Sequence, residues 1–262
     1  MEILVCIKQV PGTTKVEVDP ETGVLKRAGV DSKMNPYDLY ALETAFRLKE
    51  RHGGRVCVVS MGPPQAAEVI REAYMMGADE GALITDRSFA GSDVLATSHT
   101  LSEGIKMFGG FDLILCGKQT TDGDTAQVGP ETAESLGIPH ISNVLRIAEI
   151  KEKSAVVEMD MGSVVQTAEV QFPCLLTVEK DIFQPRLPSY RRKKDVADRE
   201  IRILALEDLS DTDEGNYGLN GSPTQVERIF PPEVVGSREL WTGTSGELSA
   251  KMAEKLKELK FI

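Results

Sequence analysis

The chain has 262 residues, 41% of them apolar, and a formal net charge of −11. That length and composition suit one large globular domain, or one domain with an extension. The acid excess argues against nucleic acid as a main partner, but not against a nucleotide, whose phosphates a few backbone amides can hold. There is no run of about 18 apolar residues to span a membrane. The opening Met1-Glu2-Ile3-Leu4-Val5-Cys6-Ile7 has no basic leader, so a cytoplasmic protein is expected. Cys6, Cys57, Cys116 and Cys174 form no CxxC pair. Small core residues in a reducing compartment are expected, not a zinc site or a disulfide framework.

Strand and helix signals alternate over the first 140 residues. Ile3 to Ile7, Val56 to Ser60, Leu83 to Thr85 and Leu113 to Gly117 are nearly continuous apolar runs, as in strands covered on both faces. Asn35-Pro36 opens a helix that Gly53-Gly54 ends, with Leu39, Leu42, Ala45, Phe46 and Leu48 at helical spacing. Further helices are expected from about Gln65 to Met76, from Asp93 to Phe108, and from near Thr125 to Gly137. This predicts an α/β fold: a parallel twisted sheet with helices on both faces. Residues 11–34, with Pro11-Gly12 and Asp19-Pro20-Glu21-Thr22-Gly23, read as a loop with a β-hairpin at the sheet's carboxyl edge.

After Pro139 the pattern changes. Val144 to Ile150, Ala155 to Met161 and Val164 to Gln171 alternate apolar and polar residues, predicting a small antiparallel extension over 140–172. Leu175 to Val178 returns to a buried strand. Residues 184–194 read as an extended, proline-bounded loop carrying Leu187 and Pro188 into the basic run Arg191-Arg192-Lys193-Lys194. An apolar anchor beside charge suits docking; a solvated charged face is the plainer alternative. Residues 198–241 have weak periodicity and no obvious core. Ser245 to Leu259 is a final helix with Leu248, Met252, Leu256 and Leu259 on one stripe. The expected division is therefore an α/β domain over 1–197 and a C-terminal arm and helix over 198–262.

In an open parallel sheet the carboxyl ends of these strands meet at one crevice. Cys6, Met61, Asn35, Asp38 and the loop after Gly117 all lie there. Cys6 and Met61 would pack an adenine ring, and Asp38 would meet ribose hydroxyls. The loop and helix start formed by Asp122, Gly123, Asp124, Thr125, Ala126, Gln127, Val128, Gly129, Pro130, Glu131, Thr132 and Ala133 would receive phosphate on free N–H groups. Taken singly, Asn35 is also a plain helix cap and Met61 a plain core residue. Neither GxGxxG nor GxxxxGK[ST] is present. His52, His99 and His140 sit beside no evident nucleophile, so any redox chemistry would come from a bound cofactor.

Five motifs in order, Leu4-Val5-Cys6-Ile7-Lys8-Gln9-Val10, Asn35-Pro36-Tyr37-Asp38, Val59-Ser60-Met61-Gly62-Pro63, Met76-Gly77-Ala78-Asp79 and Gly117-Lys118-Gln119-Thr120-Thr121-Asp122, resemble the β subunit of electron transfer flavoprotein. Pro185-Arg186-Leu187-Pro188 and the closing helix extend the resemblance over essentially the whole chain. It implies an adenine-nucleotide α-hydrolase-like fold, related to Rossmann folds, and a heterodimer with an α subunit that carries FAD. It also implies that Cys6, Asn35, Asp38, Met61 and residues 122–133 contact a nucleotide. The segment holding Leu187, Pro188 and Arg191 would anchor a partner dehydrogenase.

In the family's respiratory branch that nucleotide is a structural AMP; in the electron-bifurcating branch it is a second FAD, reduced by NADH. Gly123 stands where the respiratory pattern has the middle of three acids, which removes a charge near a pyrophosphate. Pro11-Gly12-Thr13-Thr14 and Gly218 to Val226 also resemble the bifurcating branch. The resemblance therefore implies FAD rather than AMP, with NADH as donor. The acceptors would be ferredoxin or a flavodoxin and, through the α-subunit FAD, an acyl-CoA dehydrogenase or reductase. A respiratory-type carrier with AMP and a non-redox adenine-nucleotide-binding protein are the alternatives. The long unanchored stretch 198–241 argues against the latter, because such segments normally pack on a partner.

Overall fold

A computed structural model describes residues 1–12, 32–227 and 239–262. The chain divides into two units, Met1–Glu227 and Arg228–Ile262. In the first, the apolar runs become β1 (Glu2–Cys6), β4 (Arg55–Met61), β5 (Glu80–Ile84), β6 (Leu113–Gly117) and β10 (Cys174–Val178). All pair in parallel in one nine-stranded sheet. The helices between them are α1 (Pro36–His52), α2 (Ala67–Met76), α3 (Val94–Lys106) and α4 (Val128–Leu136). The parallel sheet and flanking helices follow the predicted α/β pattern.

Strand alternation sends successive side chains to opposite faces. Ile3, Val5, Val56, Val58, Leu113 and Leu115 join one buried cluster with Leu42, Phe46, Ile70 and Tyr74 of α1 and α2. Leu4, Cys57, Val59, Ile114 and Cys116 join a second with Leu101, Ile105 and Ala133 of α3 and α4. Each helix thus buries its apolar stripe on the sheet. The four cysteines are free thiols, and Cys57, Cys116 and Cys174 are buried in the strands.

The antiparallel extension is continuous with this sheet. β7 (His140–Ile150) pairs in parallel with β10 and antiparallel with β8 (Ser154–Asp160), which pairs with β9 (Val165–Gln171). At the other end of residues 11–34, β2 (Gln9–Pro11) pairs antiparallel with β3 (Ser32–Met34). The hairpin expected between them lies outside the described residues.

Residues 198–227 differ from the sequence reading. β11 (Arg202–Leu204) pairs with β5 and extends the sheet, and Leu204, Leu209 and Tyr217 are buried. Tyr217 donates its hydroxyl to the Asp211 carbonyl at 2.6 Å and packs near Phe89 and His99. His99 in turn contacts Asp211 at 3.0 Å and so joins this packing while staying partly exposed. The stretch has a core. Its pieces are a three-residue strand and short 3₁₀ turns, which bury scattered residues and leave no period to detect.

In the second unit, α6 (Ser245–Glu258) matches the predicted final helix. Thr244 and Glu247 cap it reciprocally: the Thr244 amide donates to the Glu247 carboxylate at 2.8 Å.

Candidate functional site

The sheet order β11-β5-β4-β1-β6-β10-β7-β8-β9 places β4 and β5 on one side of β1, and β6 on the other. The chain therefore reverses direction across the sheet between β1 and β6, the switch point where folds of this kind bind ligands in a crevice beyond the carboxyl ends of the strands. Cys6 and Cys116 are register partners at that point. The loop after Gly117 leaves directly above it, and Met61 ends the neighbouring strand β4. Cys6 and Met61 are half-buried and pack against the cluster shared with α3 and α4. They leave part of their apolar surface exposed at the ends of β1 and β4.

Asn35 and Asp38 underlie this crevice instead of facing it. Asn35 is fully buried and Asp38 is 5% exposed. The Asn35 side-chain amide donates to Asp38 Oδ1 and to the Gln119 carbonyl, both at 2.9 Å. Its Oδ1 accepts from the Thr121 amide at 3.3 Å. Asp38 Oδ2 accepts from the Lys8 amide at 2.7 Å, and the Gly117 amide also donates to the carboxylate. A Cβ on Gly117 would come within 2.6 Å of Asp38 Oδ1 and of the Tyr37 carbonyl carbon, so only glycine lets α1 approach β6 this closely. Both oxygens of Asp38, expected to meet ribose, have internal partners: Oδ2 holds the Lys8 backbone beyond β1, and Oδ1 holds the Asn35 side-chain amide. Burial pushes the Asp38 carboxyl up to about 7, against these hydrogen bonds and the Lys8 charge.

The loop itself is pinned at its first half. Lys8 Nζ pairs with Asp122 at 2.8 Å. Burial raises the Asp122 carboxyl, but Lys8, Thr120 and the Gly123 amide outweigh it and hold it below the usual range. The Asp124 amide donates to the Thr120 carbonyl at 3.0 Å, and Gln119 donates to the Asp124 carboxylate. Asp124 and Ala126 have φ of 54° and 56°. These left-handed residues break the helix expected from Thr125, so α4 starts at Val128, after a Gln127 cap without a side-chain bond. Among the described residues, the amides of Thr125, Ala126, Gln127, Val128 and Gly129 donate no hydrogen bond. These five amides lie in the loop that follows β6 and at the positive end of α4.

Gly129 is buried, and a Cβ there would meet Thr177 Cγ2 at 2.7 Å, so α4 starts in close contact with β10. Thr132 bonds its own helix at the Val128 carbonyl, and Ala133 is core; both fix α4 to the sheet. Glu131 keeps one buried oxygen without a partner, and burial, then the Asp93 charge, raise its carboxyl. Sequence reasoning missed Lys8, Gly117, Gln119 and Thr121. Their roles come mainly from backbone groups and a long-range ion pair, although all four sit inside motifs already singled out.

Residues 22–204 match the electron transfer flavoprotein domain. The chain belongs to the electron transfer flavoprotein family. It is 46% identical over 264 aligned residues to the caffeyl-CoA reductase-Etf complex subunit CarD of Acetobacterium woodii, covering all of both chains. It is 44% identical over 262 residues to the electron transfer flavoprotein subunit beta of Clostridium acetobutylicum, again over all of both chains. Protein FixA of Azorhizobium caulinodans is 42% identical over 238 residues, 88% of this chain and 85% of that one. Family membership gives the chain an electron-transfer flavoprotein function and a flavin or nucleotide site.

The proline-bounded loop is anchored at its base. Arg186 donates from Nε to the buried Glu43 carboxylate at 2.7 Å and from Nη1 to Glu50 at 2.8 Å. Its guanidinium lies 4.9 Å from the Phe46 ring centre. The Ser189 amide donates to the Met75 carbonyl at 3.1 Å. The basic run is not extended as expected: Ser189 caps a short helix, α5 (Tyr190–Asp195), and Arg192 donates to the Met76 carbonyl at 3.2 Å. Leu187 is 87% exposed and Tyr190 is 77% exposed. Pro188 and Arg191 are exposed beside them. A fixed base thus holds an apolar pair outward.

Proposed function

We propose that this chain is the β subunit of a heterodimeric, electron-bifurcating flavoprotein and that its switch-point crevice holds FAD. The observation that carries this reading is the group of five unengaged amides, residues 125–129, at the start of α4. They suit a pyrophosphate, because the positive end of the helix adds to their partial charges. Lys8 neutralises Asp122 beside them, and Gly123 adds no carboxylate. Cys6 and Met61 supply the half-buried apolar rim for an adenine ring. Asn35 and Asp38 hold the loop.

When bound, the flavin supplies the redox chemistry: two electrons from NADH, one passed to ferredoxin or a flavodoxin and one through the α-subunit FAD. The protein's part is to bind and orient it and to set the charge around it. Leu187, with Pro188 and Arg191, docks an acyl-CoA dehydrogenase or reductase; the relative in a caffeyl-CoA reductase complex supports a partner of that class. The closing helix α6 of the C-terminal arm packs on the α subunit.

The test is nucleotide content. The αβ heterodimer is co-purified, its nucleotides are released with acid, and they are separated by chromatography. Two FAD and no AMP per heterodimer are expected, followed by flavin bleaching on addition of NADH. One FAD and one AMP would sink the reading and leave a simple electron carrier.

A further inference from the structure

We propose that Asp38, acting through Asn35, is a positioning residue for the phosphate loop, and that nucleotide affinity depends on Asp38 being ionised. This rests on the reading that the loop holds a nucleotide. The geometry is specific about protonation. The groups that meet the Asp38 carboxylate, the amides of Lys8 and Gly117 and the side-chain amide of Asn35, are all donors. A proton on this carboxyl would face N–H groups, and Asn35 would have to turn its oxygen toward it. That turn would set the Asn35 NH₂ against the Thr121 amide and withdraw its donor from the Gln119 carbonyl. The loop would lose the contacts that fix residues 119–121, just before Gly123 and the free amides.

Burial opposes ionisation and brings the Asp38 carboxyl to about 7, so the two forms exchange within the physiological range. The groups facing Asp38 are Lys8 beyond β1, Cys116 with Cys6 at the strand ends, and Tyr37 on α1. Lys8 is itself committed to Asp122. Since binding would use the ionised form, affinity falls as pH drops through about 7. A carboxylate acting by charge alone would do the reverse, because its protonation relieves repulsion of an anionic ligand.

The αβ heterodimer, dialysed free of loosely held flavin, is titrated with FAD by fluorescence between about pH 5.5 and 8.5, a range in which a pyrophosphate does not change charge. The wild type is expected to weaken by up to about tenfold per pH unit below about 7. Asp38→Asn would bind more weakly at the alkaline end and show no such midpoint, because its amide adds a donor among donors. Asn35→Ala, which leaves the Asp38–Lys8 contact in place, would also lose the midpoint, and it serves if Asp38→Asn does not fold. A flat wild-type profile, or tighter binding at low pH, overturns the proposal. If FAD is not retained at any pH, the cofactor reading fails instead, and the same comparison is made with AMP against Asp38→Asn. A heterodimer that holds neither nucleotide overturns both.

Discussion

Replacing Arg186 with alanine tests the anchored base of the exposed loop. The Glu43 side chain it grips is 2% exposed. Burial raises the Glu43 carboxyl, but the hydrogen bonds from Arg186 and Arg47 outweigh it and hold it below the usual carboxylate range. Removing one partner of a buried pair costs about 3–5 kcal/mol. Arg47 still reaches Glu43 at 2.8 Å, which offsets part of that. The lost pair with the exposed Glu50 adds at most about 1 kcal/mol, and the Phe46 contact adds about 0.5–1 kcal/mol. The expected net loss is about 2–4 kcal/mol, a fall in Tm of roughly 5–15 °C for a chain of this size. The sign with pH follows from the depressed Glu43 carboxyl. Its stabilisation is present above the ordinary value of 4.5 and is lost as pH falls through the folded-state value. The gap between Arg186→Ala and wild type should therefore shrink on acidification. Replacing Glu43 and Arg186 together with leucine should recover most of the loss, since no charge is then stranded. Thermal unfolding of the heterodimer at several pH values reads all three. A loss under about 1 kcal/mol, or a gap that widens in acid, would refute the buried-pair argument.

Three further outcomes are expected. Gly129→Ala forces a Cβ to 2.7 Å from Thr177, so it should cost about 1–3 kcal/mol by overpacking and lower the nucleotide content of the heterodimer by displacing the α4 amides. Leu187→Ala should leave Tm and flavin content unchanged, because the side chain is 87% exposed. It should raise the KM for the dehydrogenase-like partner about tenfold in a dye-coupled assay. Tyr217→Phe removes the 2.6 Å bond to the Asp211 carbonyl and should lower unfolding stability by about 1–2 kcal/mol in urea titration, with electron transfer intact.

What could be read from the chain, and what could not, divides by the range of the interactions involved. Strands such as Leu113 to Gly117 were legible because burial on both faces needs continuous apolar residues, a local property. Helix ends at Gly77 and Gly137 were legible because positive φ (137° and 67°) selects glycine. The start of α4 was misplaced because Asp124 and Ala126 take positive φ without being glycine. Contacts from Thr120 and Gln119 hold Asp124 there, and local propensity carries no sign of them. The core of residues 198–227 was missed because each short turn buries only a residue or two. Asp38 is the sharpest case. Its position at the carboxyl edge was predictable from topology, and a polar residue there invites a ligand. Yet two backbone donors from separate strand ends and one buried side-chain amide reach it first. Whether such a carboxylate touches the ligand or the loop that holds it depends on which donors arrive, and the fold brings those donors from β1 and β6. Its hydrogen bonds join α1 to the end of β1 and, through Asn35, to the loop after β6, a long-range role that its sequence position does not announce.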